Sequence, residues 1–152
     1  MFRYHLLIEY LGTNYKGWQI QKKNKTIQGI LQEKIRKLLK ENITIVGSGR
    51  TDAGVHAIEQ SAHFDIKNKL LNLDKFINSI NHFLKNENIA ILKVRKRSGK
   101  FHSRFSAKKR VYKYIILNRI SSPVIEKNQV WHVRKKLDLD LMKLGAKKIN
   151  WY

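Results

Sequence analysis

The chain has 152 residues, of which 42% are hydrophobic and 10% aromatic, which is enough apolar material for one globular core. Its 32 Lys and Arg residues against 11 Asp and Glu residues give a formal net charge of +21, so a polyanion is an expected partner. The absence of cysteine excludes disulfides, thiolate zinc sites and cysteine nucleophiles.

The first predicted element is a β-strand over residues 2–10, because apolar and polar side chains alternate there. Tyr4 and Leu6 begin its apolar face, whereas Arg3, His5 and Glu9 lie on the other face. A turn-rich stretch over residues 11–18 follows the strand.

Two amphipathic helices are predicted next, each after a residue that commonly caps a helix N-terminus. Thr26 precedes the first helix and Asn72 precedes the second. In both segments the apolar residues recur at intervals of three and four, which places them on one face. The predicted buried faces contain Ile27, Ile30, Leu31, Ile35, Leu38 and Leu39 in the first helix, and Leu73, Phe76, Ile77, Ile80, Phe83 and Leu84 in the second.

Further strands are predicted over residues 43–46, 57–66, 89–94 and 111–117. The order strand, helix, strand, strand, helix, strand is typical of the α+β, ferredoxin-like (split βαβ) fold, an antiparallel sheet with helices on one face. Asp138 is a candidate cap for a third helix, whose inward side chains would be Leu139, Met142, Ala146 and Ile149.

Nucleic acid and an anionic membrane are the two polyanions that would favour so basic a chain. Nucleic acid is the better candidate, because no apolar run approaches the roughly 20 residues of a spanning helix and residues 1–10 do not resemble a secretory signal. We therefore expect a cytoplasmic protein with no membrane partner. A nucleotide-composition bias towards Ile, Asn and Lys is an alternative origin for part of the charge.

A glycine-rich segment over residues 47–56 joins two predicted strands and contains Asp52. It fails as a dinucleotide fingerprint, because Asp52 occupies the place of the third glycine, and as a Walker A loop, because Val55 and His56 follow Gly54. One interpretation is a turn in which Asp52 accepts backbone hydrogen bonds. The other is a functional carboxylate, kept ionised by the Arg50 guanidinium two residues earlier.

Three segments resemble the TruA family of tRNA pseudouridine synthases, in the same order along the chain. Residues 49–57 read Gly-Arg-Thr-Asp-Ala-Gly-Val-His-Ala, and residues 10–19 read Tyr-Leu-Gly-Thr-Asn-Tyr-Lys-Gly-Trp-Gln. Residues 101–108 read Phe-His-Ser-Arg-Phe-Ser-Ala-Lys and are followed by Tyr-Lys-Tyr at 112–114. The resemblance therefore extends over essentially the whole chain.

This resemblance implies a pseudouridine synthase fold and the conversion of uridine to pseudouridine in the tRNA anticodon stem-loop, at tRNA positions 38, 39 and 40. It implies Asp52 as the catalytic carboxylate, Arg50 as the residue that displaces the target uridine, and Tyr112 as the aromatic platform for that base. It also implies tRNA as partner, a homodimer, and a reaction without metal or small-molecule cofactor. These roles agree with the need to take a base out of its stack before chemistry occurs on it.

The basic residues between the last two predicted strands are candidates for a phosphate-binding track. They are Arg95, Lys96, Arg97, Lys100, Arg104, Lys108, Lys109 and Arg110. Of these, Arg104, Lys108 and Arg110 are the predicted substrate-binding residues. The six histidines lack metal-ligand spacing, so we expect structural or RNA-contacting roles for them.

Family members are longer than this chain, and a second half completes their catalytic cleft. We therefore expect a catalytic domain over residues 1–118 and, over residues 119–152, the beginning of a C-terminal domain that is otherwise lacking. Two hypotheses follow. The chain is either the catalytic part of a tRNA uridine isomerase, or a non-catalytic basic RNA-binding domain from a truncated or degraded synthase.

Overall fold

The computed structural model describes residues 1–149, which divide into two compact units, Met1–Arg110 and the segment from Val111 onward. The boundary predicted after residue 118 therefore differs from this division, which falls after Arg110. The first unit contains β1 (Phe2–Tyr10), a 3₁₀ turn (Gly12–Asn14), α1 (Ile27–Leu39), β2 (Val46–Gly47), β3 (Ala57–Ile66), α2 (Leu73–Leu84) and β4 (Ile89–Arg97). The second contains β5 (Ile116–Asn118), β6 (Trp131–Val133) and α3 (Leu139–Lys148).

The four strands of the first unit form one sheet in the order β2-β3-β1-β4. Every neighbouring pair is antiparallel, with β1 central between β3 and β4. Together with the order of helices along the chain, this topology is the predicted split βαβ arrangement. The α+β, ferredoxin-like fold is thus confirmed.

The two helices of the first unit, α1 and α2, bury their apolar faces against the same side of the sheet. Tyr4, Leu6, Ile8 and Tyr10 of β1 are at most 1% exposed, and they share one core with Ile27, Leu31, Ile35, Phe76, Ile80 and Leu84 of the helices. The predicted caps are also present: the Thr26 side chain accepts the Gly29 N–H, and that of Asn72 accepts the Lys75 N–H. The alternation in β1 therefore predicted the correct inward face.

The predicted strand over residues 43–46 was wrong in its extent, because only Val46–Gly47 pairs with β3. Ile43 and Ile45 are buried, but side chains of α1 satisfy their backbone groups. The Arg36 guanidinium donates to the Ile43 carbonyl, and the Gln32 side chain accepts the Ile45 N–H at 2.9 Å. A segment whose polar backbone is already bonded in this way needs no partner strand.

Two further expectations were wrong. Residues 111–115 are not a strand, and β5 is limited to Ile116–Asn118, which pairs in parallel with β6. The third helix does begin after Asp138, which accepts the N–H groups of Asp140 and Leu141, but its predicted inward side chains are exposed: Leu139 is 62% exposed and Met142 44%. In contrast, β4 is longer than predicted, since its pairing with β1 continues to Arg97.

Candidate active site

Asp52 lies in the connection between β2 and β3 and its side chain is exposed. The turn around it is closed by backbone groups, because the Val55 N–H donates to the Asp52 carbonyl at 3.2 Å. Gly54 adopts a φ of +80° in this turn, a conformation that glycine adopts at little cost. No hydrogen bond to the Asp52 carboxylate is present within residues 1–149, so holding the turn does not require this carboxylate.

The first segment, residues 10–18, comprises the last residue of β1 and the turn that follows it. It holds the Asp52 loop, residues 48–56 between β2 and β3, through four hydrogen bonds. The Trp18 N–H donates to the Thr51 carbonyl at 2.9 Å, and the Gly54 N–H donates to the Tyr15 carbonyl at 3.3 Å. The remaining two bonds link the Tyr10 hydroxyl with Thr51 Oγ1, and the Gly12 N–H with His56 Nδ1, each at 2.9 Å. Because two of these bonds end on Thr51, the residue before Asp52 is fixed through both backbone and side chain.

Two glycines allow this close approach between the segments. A Cβ atom on Gly17, whose φ is +86°, would lie 2.5 Å from the Thr51 carbonyl oxygen and 3.2 Å from the Asp52 carbonyl carbon. A Cβ atom on Gly12 would lie 2.0 Å from the Val55 carbonyl oxygen. The two distances to carbonyl oxygens are far shorter than van der Waals contact, so only glycine fits at these positions without displacing the Asp52 loop.

An open cleft of about 380 Å³ lies between these two segments. It is lined by Lys16, Gln19, Gln21, Arg50, Thr51, Asp52 and Ala53. The structure thus brings Arg50 and Asp52 into one cleft, although they form no ion pair within 4.0 Å, contrary to the close contact expected from their spacing. Sequence reasoning missed Lys16, because nothing in the spacing of residues 16 and 52 indicates that they are neighbours.

Comparison with known proteins gives this cleft a context. A family model described as tRNA pseudouridine synthase matches residues 6–106, a range that includes every residue lining the cleft. The chain belongs to the TruA family of tRNA pseudouridine synthases. That assignment confirms the family that the three sequence segments resemble.

Two relatives named tRNA pseudouridine synthase A show how far the TruA-family similarity extends. The protein of Pelagibacter ubique (strain HTCC1062) is 61% identical over 149 residues, which are 98% of this chain and 61% of the relative. That of Ehrlichia canis (strain Jake) is 47% identical over 143 residues, or 92% of this chain and 57% of the relative. The chain therefore spans about three fifths of the length of the relatives it matches.

Among the other predicted substrate-binding residues of this TruA-family chain, Arg110 lies against the start of the Asp52 loop. Its Nη2 donates to the Ser48 carbonyl at 2.9 Å and to the Arg104 carbonyl at 3.3 Å. The Arg104 guanidinium lies over the Phe105 ring, and Lys108 is exposed. Tyr112 belongs to the second unit and is 72% exposed, so its role as an aromatic platform stays a prediction.

The segment that carries Arg104 and Arg110 is fixed to the helix-free face of the sheet. Arg3 forms a two-point ion pair with Asp65 at 2.6 and 2.8 Å, and its Nη1 donates to the carbonyls of Gly99 and Phe101. The ion pair with Arg3 lowers the pKa of the Asp65 carboxyl group. Phe101 also packs on the His5 ring, with ring centroids 4.9 Å apart. The beginning of the loop that follows β4 (residues 98–110) therefore has a defined position.

His63 and Ser103 form a second attachment of the same loop. His63 Nδ1 accepts the Ser103 N–H at 3.2 Å, and Ser103 Oγ donates to the Val46 carbonyl at 2.7 Å. Burial, together with the nearby Arg3 charge, lowers the pKa of His63 to about 4. His63 is therefore neutral at physiological pH, and its bare Nδ1 is the acceptor that this contact requires.

Neither a metal site nor a membrane span is present in the part of the chain that the structure describes. Residues 1–149 contain no group of three His, Cys, Asp or Glu side chains arranged to bind a metal ion. None of the helices in this range has the length and hydrophobicity that crossing a bilayer would require.

Proposed function

We propose that this chain carries the catalytic carboxylate of a tRNA pseudouridine synthase and that this group is Asp52. The observation behind the proposal is an exposed carboxylate, without a hydrogen bond in the described residues, on a loop held by four hydrogen bonds from a second segment. A reacting group gains most from such preorganisation, because its position is fixed before the substrate binds.

The reaction proposed is the isomerisation of uridine to pseudouridine. The bond between N1 of uracil and C1′ of ribose breaks, the base turns, and C5 of uracil bonds to C1′. C5 then releases its proton and N1 takes up a proton, so that the composition of the nucleotide is unchanged. Asp52 acts in its ionised form, either as a nucleophile towards sugar or base or as a base towards a sugar proton. Arg50 lines the same cleft and supplies a cation for the RNA backbone or the displaced base.

The proposed substrate is the anticodon stem-loop of tRNA, with the uridines at positions 38, 39 and 40 as targets. A net charge of +21 supports a polyanionic substrate, and exposed Arg104 and Lys108 lie on the loop that is fixed to the sheet. Tyr112 is proposed as the stacking platform, since base-to-aromatic stacking contributes about 1–3 kcal/mol per base. Homodimer formation and a cytoplasmic location also belong to this proposal, and the mass in solution by light scattering tests the former.

The substitution Asp52→Asn tests the function directly. It removes the charge while keeping the shape, so we expect tRNA binding to stay within about twofold, because phosphate contacts supply most of the affinity. Pseudouridine formation, measured by release of tritium from C5-labelled uridine, should become undetectable. Because the side chain has no described partner to lose, the melting temperature should be unchanged.

Two outcomes decide against the proposal. Product formed by Asp52→Asn would remove the assigned role of the carboxylate. If the unchanged chain binds tRNA but never forms product, it is a basic RNA-binding domain without turnover.

A further inference from the structure

The cleft beside Asp52 contains a second cation, Lys16, to which the proposed chemistry assigns no role. Lys16 lines the cleft together with Arg50, and its side chain is exposed. In the described part of the chain neither cation forms an ion pair with a carboxylate. The residues that line the cleft thus include two that are cationic and one that is acidic, which leaves an excess of positive charge.

The backbone of Lys16 is fixed on both sides. Its N–H donates to the Lys25 carbonyl at 3.0 Å, and its own carbonyl accepts the Gln21 side-chain amide at 2.9 Å. The next residue, Gly17, is in close contact with the Thr51 and Asp52 backbone. The Lys16 side chain therefore starts from a defined point beside the Asp52 loop, which lowers the entropy cost of using it to bind a ligand.

The neighbouring lysines differ from Lys16 in their contacts. Lys25 forms an ion pair with Glu87 at 2.6 Å and lies over the Tyr15 ring, so it stabilises the first segment. Lys22 and Lys23 are exposed in the turn between Gln21 and Asn24 and do not line the cleft. Of the four lysines in residues 16–25, Lys16 alone combines an exposed ammonium group with a place in the cleft.

We infer that Lys16 and Arg50 together bind one phosphate of the RNA strand, a phosphate bonded to the ribose of the nucleotide that reacts at Asp52. The inference rests on the proposed function for the identity of the ligand. A phosphate brings the negative charge that the two cations lack, and a guanidinium and an ammonium group are both well suited to it. Because that phosphate is bonded to the reacting ribose, holding it also positions C1′ beside the carboxylate.

The experiment compares Lys16→Gln with Lys23→Gln, which removes the same charge from an exposed position outside the cleft. Lys16→Arg and Arg50→Gln complete the set. Binding of a fluorescein-labelled anticodon stem-loop RNA to the full chain is measured by anisotropy over a series of salt concentrations. Thermal melting of each variant monitors the fold, which should be unaffected because the hydrogen bonds at position 16 are those of the backbone.

We expect Lys16→Gln to weaken binding about fivefold and to reduce the slope of log affinity against log salt by about 0.7, the value for one lost phosphate contact on a single strand. Arg50→Gln should have a similar effect, Lys16→Arg should restore most of the affinity, and Lys23→Gln should change it less than about twofold. In protein that forms pseudouridine, the rate lost by Lys16→Gln should be partly recovered at saturating RNA, whereas the rate lost by Asp52→Asn should not.

The remaining outcomes separate this inference from the proposed function. Equal effects of Lys16→Gln and Lys23→Gln, with pseudouridine still formed by the unchanged chain, overturn the phosphate site and leave the catalytic proposal intact. A larger effect of Lys16→Gln in a chain that forms no product supports the site and rejects catalysis. Failure of the unchanged chain to bind the RNA rejects both.

Discussion

Replacing Gly17 by alanine tests whether the first segment determines the position of Asp52. The new Cβ atom would lie 2.5 Å from the Thr51 carbonyl oxygen, which belongs to the backbone and accepts the Trp18 N–H. Neither segment has a flexible side chain that moves out of the way at this contact. The Asp52 loop must therefore shift, or the hydrogen bonds between the segments must lengthen.

Gly54→Ala is the matched control, because the φ angles are nearly equal, +86° at Gly17 and +80° at Gly54, whereas a Cβ on Gly54 meets nothing within 4 Å. Each alanine substitution lowers the free energy of unfolding by about 1–3 kcal/mol, because alanine is strained at a positive φ. Only Gly17→Ala adds the steric overlap, which costs about another 1–3 kcal/mol. The difference between the two variants therefore isolates the contact between the segments.

Urea unfolding measures both free energies of unfolding, and single-turnover pseudouridine formation measures the consequence for Asp52. We expect Gly17→Ala to be the less stable variant by about 1–3 kcal/mol and to lose at least tenfold in rate at saturating RNA, since small displacements of a reacting group are costly. Equal stability of the two variants, or a rate for Gly17→Ala like that of the unchanged chain, would refute this reasoning.

Two further predictions concern the side chains that hold the site. The pKa of His63 is about 4 in the folded chain, against an ordinary value of 6.5. Its contribution to the free energy of unfolding is therefore fully present above pH 6.5 and is lost as the pH decreases towards 4, by roughly 3 kcal/mol in total. Urea unfolding at several pH values should show this loss reduced in His63→Asn, and parallel curves for the two proteins would contradict it. Tyr10→Phe removes the hydrogen bond to Thr51 Oγ1. It should therefore lower the free energy of unfolding by about 1 kcal/mol, and it should decrease kcat by a larger factor than it changes KM. Tyr4→Phe is its control, because it loses a similar bond, to the Leu70 N–H, away from the cleft; an equal kcat loss there would exclude a specific effect at Asp52.

The elements that were predicted correctly have strong local signals. In β1 the apolar residues Tyr4, Leu6 and Ile8 recur at every second position, and the other face is polar except at Leu7, which sets both the element and its buried face. The caps at Thr26 and Asn72 mark the helix starts because their side chains bond the first free N–H groups. Such signals depend on neighbours within a few residues, so the elements can be predicted without knowledge of the tertiary structure.

The elements that were predicted wrongly depend on distant partners. Ile43 and Ile45 are as apolar as a strand requires, but side chains of α1 bond their backbone groups and keep them out of the sheet. The alternation at residues 111–115 resembles that of β1, yet Tyr112 and Tyr114 are exposed and no strand forms there. Periodicity records which side chains are apolar, but not which backbone groups find a partner.

The sequence by itself determined the family and the split βαβ fold, and it is the source of the proposal that Asp52 and Arg50 are site residues, since each rests on residues that are adjacent or regularly spaced in the chain. Only the tertiary structure decided that residues 10–18 hold the Asp52 loop and that Lys16 shares its cleft. The physical reason is that Gly12 and Gly17 allow two backbones to approach within hydrogen-bonding distance. A contact between segments more than 30 residues apart leaves no periodic trace in the sequence of either one.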